Sequence, residues 1–307
     1  MKNTSSFCCS LLRGAGQVMF MGNVNTGALF LAGIIIGSWM SGTAVVAVGA
    51  MTGLIASTLT AYLLYKTKED AGQGLCGYNG ILIGCALPTI FDSTIFMWIS
   101  LTILSAISPW LRELMNKSLK NIGVNALTFP FILLTWLSFC LDLPQATATL
   151  PEHIHCITVL TFAKALMNGV SQIFLINSYV CGAFFLVGLL IANWRAAVWC
   201  IFGATTGIML AVALNQDHTA IINGLYGFNP ALTAIALGTI FHKNTVLTII
   251  GIIITVFIQI TLSHLLSPAG IPELTAPFCI ATWIVLIITN KNKVNNQEAE
   301  CNTIIVV

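Results

Sequence analysis

Apolar runs separated by short polar breaks fill this chain from about residue 8 to residue 290. A run of about 18 apolar residues or more matches the length a helix needs to cross a hydrocarbon core. The pattern predicts spans over roughly 8–24, 27–40, 43–65, 93–111 and 122–141, and again over 160–177, 180–193, 195–214, 244–266 and 273–290. The opening two segments of each set are barely long enough, and two further runs, 78–91 and 228–241, read as short segments that do not cross. Both sets run in one order: three spans, a short segment, two more spans. The expected fold is an all-α integral membrane protein of ten transmembrane helices in two five-helix repeats, each with a half-spanning re-entrant helix.

The sequence repeats itself along the same lines. Residues 74–91 (GLCGYNGILIGCALPTIF) and 224–241 (GLYGFNPALTAIALGTIF) are identical at ten of 18 positions, 150 residues apart. Upstream, 27–39 (GALFLAGIIIGSW) matches 182–194 (GAFFLVGLLIANW), with Gln17 and Gln172 at the same offset of 155. Downstream, 127–136 (LTFPFILLTW) matches 274–283 (LTAPFCIATW) at an offset of 147. Three blocks in one order at nearly one separation mark a tandem duplication. We read a first repeat over 1–146, a second over 147–290 and a tail over 291–307. Five spans per repeat turn the second upside down relative to the first. Positive charge agrees with that topology if both termini are cytoplasmic. Arg112, Lys117 and Lys120 then fall inside with the Lys291 and Lys293 tail, while the 142–155 link and the 267–273 loop carry no Lys or Arg. Lys66 and Lys68, beside Glu69 and Asp70, are the exception.

Composition narrows the class. Only 7% of the 307 residues are charged and 57% are apolar, with a mean hydropathy of +0.92. A soluble domain carries about 25% charge, so this chain lacks the polar groups to cover a wet surface. A formal net charge of +2 gives no reason to expect nucleic acid as a partner. Most of the ten cysteines lie within apolar runs without metal-ligand spacing, and they read as small buried hydrophobes. No metal or cofactor is expected, and the N-terminus lacks the form of a cleaved signal peptide. Enzyme chemistry has no foothold either, because GxSxG, HExxH and paired intramembrane aspartates are all missing from the sequence.

Half-length apolar segments at matching places in two repeats point to a transport site near the midplane, since such backbone survives only buried in protein or lining a watery cavity. The glycines of 74–91 and 224–241 permit close turns, and Asn79 and Asn229 can bond backbone groups that the break leaves free. Ordinary packing is the plainer reading of the same segments.

The GLCGYN and GLYGFN starts, the doubled LTxPF segments and the Gln17 and Gln172 regions resemble the urea transporter family over nearly the whole chain. The resemblance implies a homotrimer with one pore per protomer, passing urea down its gradient without ion coupling. It places Gln17 and Gln172 as polar pore residues, with Val18 and Ile173 beside them and Phe20 and Leu175 lining the slot. It matches Tyr78, Leu82, Phe228 and Leu232 to the side chains flanking the solute, and Thr128 and Thr275 to hydroxyls at the narrow middle. Tyr78 and Leu175 depart from the phenylalanines common in relatives, which alters the slot. A bacterial cytoplasmic membrane suits a ten-span protein of this size.

Physical chemistry supports such a set independently. Urea is flat and neutral, and burying its amide groups without partners costs roughly 2–7 kcal/mol. Glutamines, threonines and carbonyls replace water's hydrogen bonds in its plane, while aromatic and leucine side chains press on its faces. Tyr78 with Leu82, and Phe228 with Leu232, share one helix face by their spacing of four. Each residue also has a structural reading: the glutamines as bridges to backbone, the threonines bonded to their own helices, the prolines Pro130 and Pro277 as kinks. Asp92 and its repeat mate His242, Lys164, and the linker residues Glu152, His153 and His155 carry no chemistry that the pattern requires. An ion-coupled transporter, or a channel for another small amide or ammonia, remains the alternative. Every acidic residue falls at a predicted span end, in a loop or in the tail, which weighs against proton coupling.

Overall fold

The computed structural model describes residues 6–64, 68–146 and 158–304, without the side chains of residues 64, 68 and 291–304. Residues 147–155 of the link, with Glu152, His153 and His155, lie outside the described residues, as does Lys66. Among the described residues the fold is helical, with a single isolated β-bridge between Phe91 and Gln145.

Seven helices in the first half are followed by seven in the same order. The first set is α1 (Phe7–Gln17), α2 (Val24–Met40), α3 (Ala44–Leu64), α4 (Lys68–Gly72), α5 (Tyr78–Ile90), α6 (Ile95–Leu119) and α7 (Phe129–Ser138). The second is α8 (Val159–Ser171), α9 (Tyr179–Ala192), α10 (Trp194–Ala213), α11 (His218–Ile222), α12 (Phe228–Ile235), α13 (Thr245–Leu266) and α14 (Ala276–Ile304). Polar breaks set the starts by side-chain capping. Asn23 accepts from Asn25 N at 2.8 Å, Thr94 from Met97 N at 3.2 Å, Asp217 from Ala220 N at 2.7 Å and Asn244 from Leu247 N at 2.8 Å.

By length and composition four helical stretches can cross a membrane: Ala44–Leu63, Ile95–Ile122, Trp194–Ala213 and Thr245–Ala269. A fifth arises if Val159–Phe174 and Tyr179–Ala192, bent by 76° at their junction, count as one. Five more apolar stretches are shorter: Val24–Met40, Tyr78–Ile90, Phe129–Leu141, Phe228–Ile240 and Ala276–Asn290. The expected ten full spans are therefore a mixture of long and short helices. Residues 122–141 and 273–290, read as spans, begin their helices only at Phe129 and Ala276. Pro130 and Pro277 accordingly occupy first turns, where a missing N–H costs nothing, and not the kinks expected of them. Likewise the 8–24 run stops being helical after Gln17.

Large apolar side chains face outward along the long helices, including Leu63, Phe96, Trp110, Phe257 and Leu265. A surface of that kind suits lipid. Inside, backbones meet closely. A Cβ on Gly80 of α5 would come 2.5 Å from the Gly53 carbonyl oxygen of α3, and one on Gly203 of α10 would come 2.4 Å from that of Pro230 in α12. The halves join where α2 meets α9: Phe30, Phe174 and Phe185 form a ring cluster with centroids 4.8–6.0 Å apart, and Thr26 Oγ1 donates to the Gly188 carbonyl at 2.9 Å. Two tryptophans add a reciprocal tie. Trp136 Nε1 donates to the Pro272 carbonyl at 2.9 Å, and Trp283 Nε1 to the Asn125 carbonyl at 2.8 Å.

Candidate functional site

The LTxPF segments turn into the first residues of α7 and α14, and their backbone is unusual. Leu127 and Leu274 adopt positive φ (52° and 51°), as do Phe20 (65°) and Leu175 (57°) where α1 and α8 end. Side-chain-bearing residues avoid this region at a cost of roughly 1–2 kcal/mol, and such strain concentrates at functional sites. All four residues belong to repeat-related pairs. Neighbouring groups hold the strained carbonyls: Tyr78 Oη donates to the Leu127 carbonyl at 2.8 Å, and Asn229 Nδ2 to that of Leu274 at 3.0 Å. Asn79 and Asn229 also accept, through Oδ1, from Phe131 N at 3.2 Å and Phe278 N at 3.4 Å. Each asparagine thus fastens the half-length helix of its repeat to the following LTxPF segment.

Those segments bring Thr128 and Thr275 face to face. Their hydroxyl oxygens lie 2.7 Å apart in the buried interior, with Cys279 Sγ 3.4 Å from Thr128 Oγ1. Thr128 also borders one cavity and Thr275 another. The first, of about 300 Å³, is lined by Gln17, Val18, Phe20, Tyr78 and Thr128 with Leu75, Arg112, Asn116, Asn125 and Leu127, and across the repeat boundary by Ile240 and Phe241. The second, of about 210 Å³, is lined by Gln172, Ile173, Leu175, Phe228 and Thr275 with Ala220, Leu225, Tyr226, Ser263, Pro272, Glu273 and Leu274, and by Phe131 of the first half. Each cavity is built mainly by one repeat and closed by a residue or two from the other.

Ten of the twelve residues singled out from the sequence therefore border a cavity. The other two, Leu82 and Leu232, are fully buried in the core and border neither. Gln17 donates through Nε2 to the Gln73 carbonyl at 3.1 Å, and Gln172 to that of Asn223 at 2.9 Å. This backbone bridging accords with the structural reading, yet it also holds each side chain by its donor end. The pairs Asp92/His242 and the lone Lys164 border neither cavity.

Sequence reasoning missed several lining groups. Arg112 read as a cytoplasmic loop charge, but its side chain is largely buried on α6 and lies 3.3 Å from Asp70. Nothing in the local sequence announces that contact, which depends on α4 packing against a residue 42 positions away. Leu127, Leu274 and Glu273 did carry a signal, since they flank or belong to the repeated LTxPF blocks. Among the described residues no group of His, Cys, Asp and Glu is arranged to hold a metal.

Residues 8–290 match the family model described as urea transporter. The chain is 30% identical over 301 residues to Urea transporter 1 of Ovis aries, 29% over 303 to that of Capra hircus and 28% over 301 to that of Rattus norvegicus. Each alignment covers 92% of this chain and 77% of the relative.

Proposed function

The chain belongs to the urea transporter family, and from that premise we propose that urea crosses between the two cavities, past the paired hydroxyls of Thr128 and Thr275. The protein is an integral membrane transporter that carries urea passively and is not an enzyme. The observation that carries the path is the 2.7 Å contact of two repeat-related threonines, each bordering a different cavity.

In this reading urea sheds its water in steps. Gln17 and Gln172 meet it in the two cavities, supported by the carbonyls near Leu127 and Leu274. Phe20, Tyr78, Leu175 and Phe228, with Val18 and Ile173 behind, press on its faces and admit a flat solute. At the centre each threonine hydroxyl gives up its partner and takes an N–H or the carbonyl of urea instead. Exchanging one hydrogen bond for another keeps the barrier low, whereas an unpartnered amide would cost roughly 2–7 kcal/mol. Leu82 and Leu232 then act one layer back, packing the half-length helices. The repeats 1–146 and 147–290 lie inverted with both termini in the cytoplasm, which five spans per repeat and the placement of Lys and Arg support; three copies assemble with one pore each, which the resemblance supports, in a bacterial cytoplasmic membrane. The relatives reported above are mammalian, so the bacterial setting rests on the chain's size alone.

Urea flux into proteoliposomes, followed by stopped-flow light scattering, tests the passive mechanism. We expect equilibration far faster than in empty liposomes and unchanged by an imposed sodium or proton gradient. Acceleration by either gradient would replace the channel with an ion-coupled transporter.

A further inference from the structure

The two repeats do not match in charge. In the first cavity Arg112 is the one formally charged lining residue, and its repeat mate, 147 positions on, is Gln259. In the second cavity Glu273 is the one formally charged lining residue, and its mate is Ala126. The pore ends of a path for a neutral solute thus carry opposite charges that the duplication did not supply.

Glu273 has few partners. It sits in the connection between Thr245–Ala269 and Ala276–Asn290, two residues before Thr275. Its carboxylate accepts from Gln259 Nε2 at a long 3.4 Å and from its own backbone N–H, and that same Gln259 nitrogen also donates to the Leu225 carbonyl. Burial pushes the Glu273 carboxyl above the ordinary carboxylate range. A carboxylate removed from water without a cation is costly, and a cation beside it offsets that cost. Tyr226 in the same cavity is engaged elsewhere, donating to Gln216 Oε1 at 3.0 Å.

We infer that the second cavity binds a flat monovalent cation of the guanidinium class, held by Glu273, and that the bound cation blocks urea from that face. Guanidinium has the size and planarity of urea, and its paired N–H groups fit a carboxylate two at a time. The ring of Phe228, which lines the same cavity, offers an apolar face to it. The cation stops there. Onward movement would take it off its only counter-charge, through the uncharged threonine pair and into the cavity of Arg112. The blocking half of this inference rests on the urea path proposed above; the binding half does not.

The test uses full-length protein and guanidinium chloride, with sodium chloride at equal ionic strength as the control. Direct binding of radiolabelled guanidinium to the detergent-solubilised wild type, Glu273→Gln and Glu273→Asp is measured first. We expect saturable binding to the wild type, at least tenfold weaker binding to Glu273→Gln and partial recovery in Glu273→Asp. In proteoliposomes, guanidinium should slow wild-type urea entry from one face, and the ratio of blocked to unblocked flux should approach one in Glu273→Gln. Equal binding to wild type and Glu273→Gln, or none to a folded wild type, would overturn the site. Binding without any slowing of a measurable urea flux would overturn the block. Absence of urea flux in the wild type would instead sink the proposed transport path and leave the binding result standing.

Discussion

Tyr78 shows how a single hydroxyl separates the two repeats. Its Oη satisfies the strained carbonyl of Leu127 at 2.8 Å, where the second repeat has Phe228 and leaves the Leu274 carbonyl to Asn229. A buried hydrogen bond of this kind contributes about 1 kcal/mol, and the carbonyl left behind is costlier still. Tyr78→Phe should therefore lower the thermal unfolding midpoint, while Phe228→Tyr should not raise it, because the matching carbonyl is already bonded; scanning calorimetry in detergent compares the two. At this scale the sequence was partly legible. The resemblance to the urea transporter family marked the departure at Tyr78 and the threonine pair. The positive φ of Leu127, Leu274, Phe20 and Leu175 did not, because leucine and phenylalanine are not residues that mark a left-handed backbone.

Close approach governs the helices. The Cβ of an alanine at position 80 would meet Ser57 Oγ at 2.1 Å and the Gly53 carbonyl oxygen at 2.5 Å, and backbone cannot swing aside as a side chain can. Overpacking typically costs about 1–3 kcal/mol. Gly80→Ala should destabilise the protein by that order and, by displacing α5 with Tyr78 and Asn79, reduce urea flux; thermal denaturation and flux measured together check this. Long helices were easy to read, since their apolar length is the signal. The half-length elements were harder. Apolar content alone cannot show that a chain enters a helix through turns and irregular backbone, so 123–128 joined the helical run of α7, and the prolines in the first turns of α7 and α14 passed for kinks.

For the whole molecule the repeat is the governing fact, visible in sequence as three offset blocks and in structure as seven helices followed by seven counterparts. The reciprocal bonds of Trp136 and Trp283, each to the other half's entry segment, tie the repeats in a way a twofold relation would produce. The inversion proposed for the repeats makes a further prediction. With Cys8, Cys9, Cys140, Cys156 and Cys301 replaced, Lys120→Cys and Ser267→Cys, at matching positions after α6 and α13, should react with an impermeant thiol reagent from opposite faces of oriented vesicles. Labelling of both from one face would make the repeats parallel. The charge asymmetry of Arg112 and Glu273 was present in the sequence, but only the fold shows that both side chains border the cavities.

The most direct test of the path is urea flux through a Thr128→Val/Thr275→Val double variant, beside each single variant and the wild type in the same liposomes. Valine keeps the shape and removes both hydroxyls, so urea loses its partners at the centre at a cost of about 1–3 kcal/mol. The account predicts flux lowered roughly five- to 150-fold in the double variant, with smaller losses in the single ones and normal insertion in the membrane. Undiminished flux in a correctly folded double variant would place the urea path somewhere other than between these two threonines.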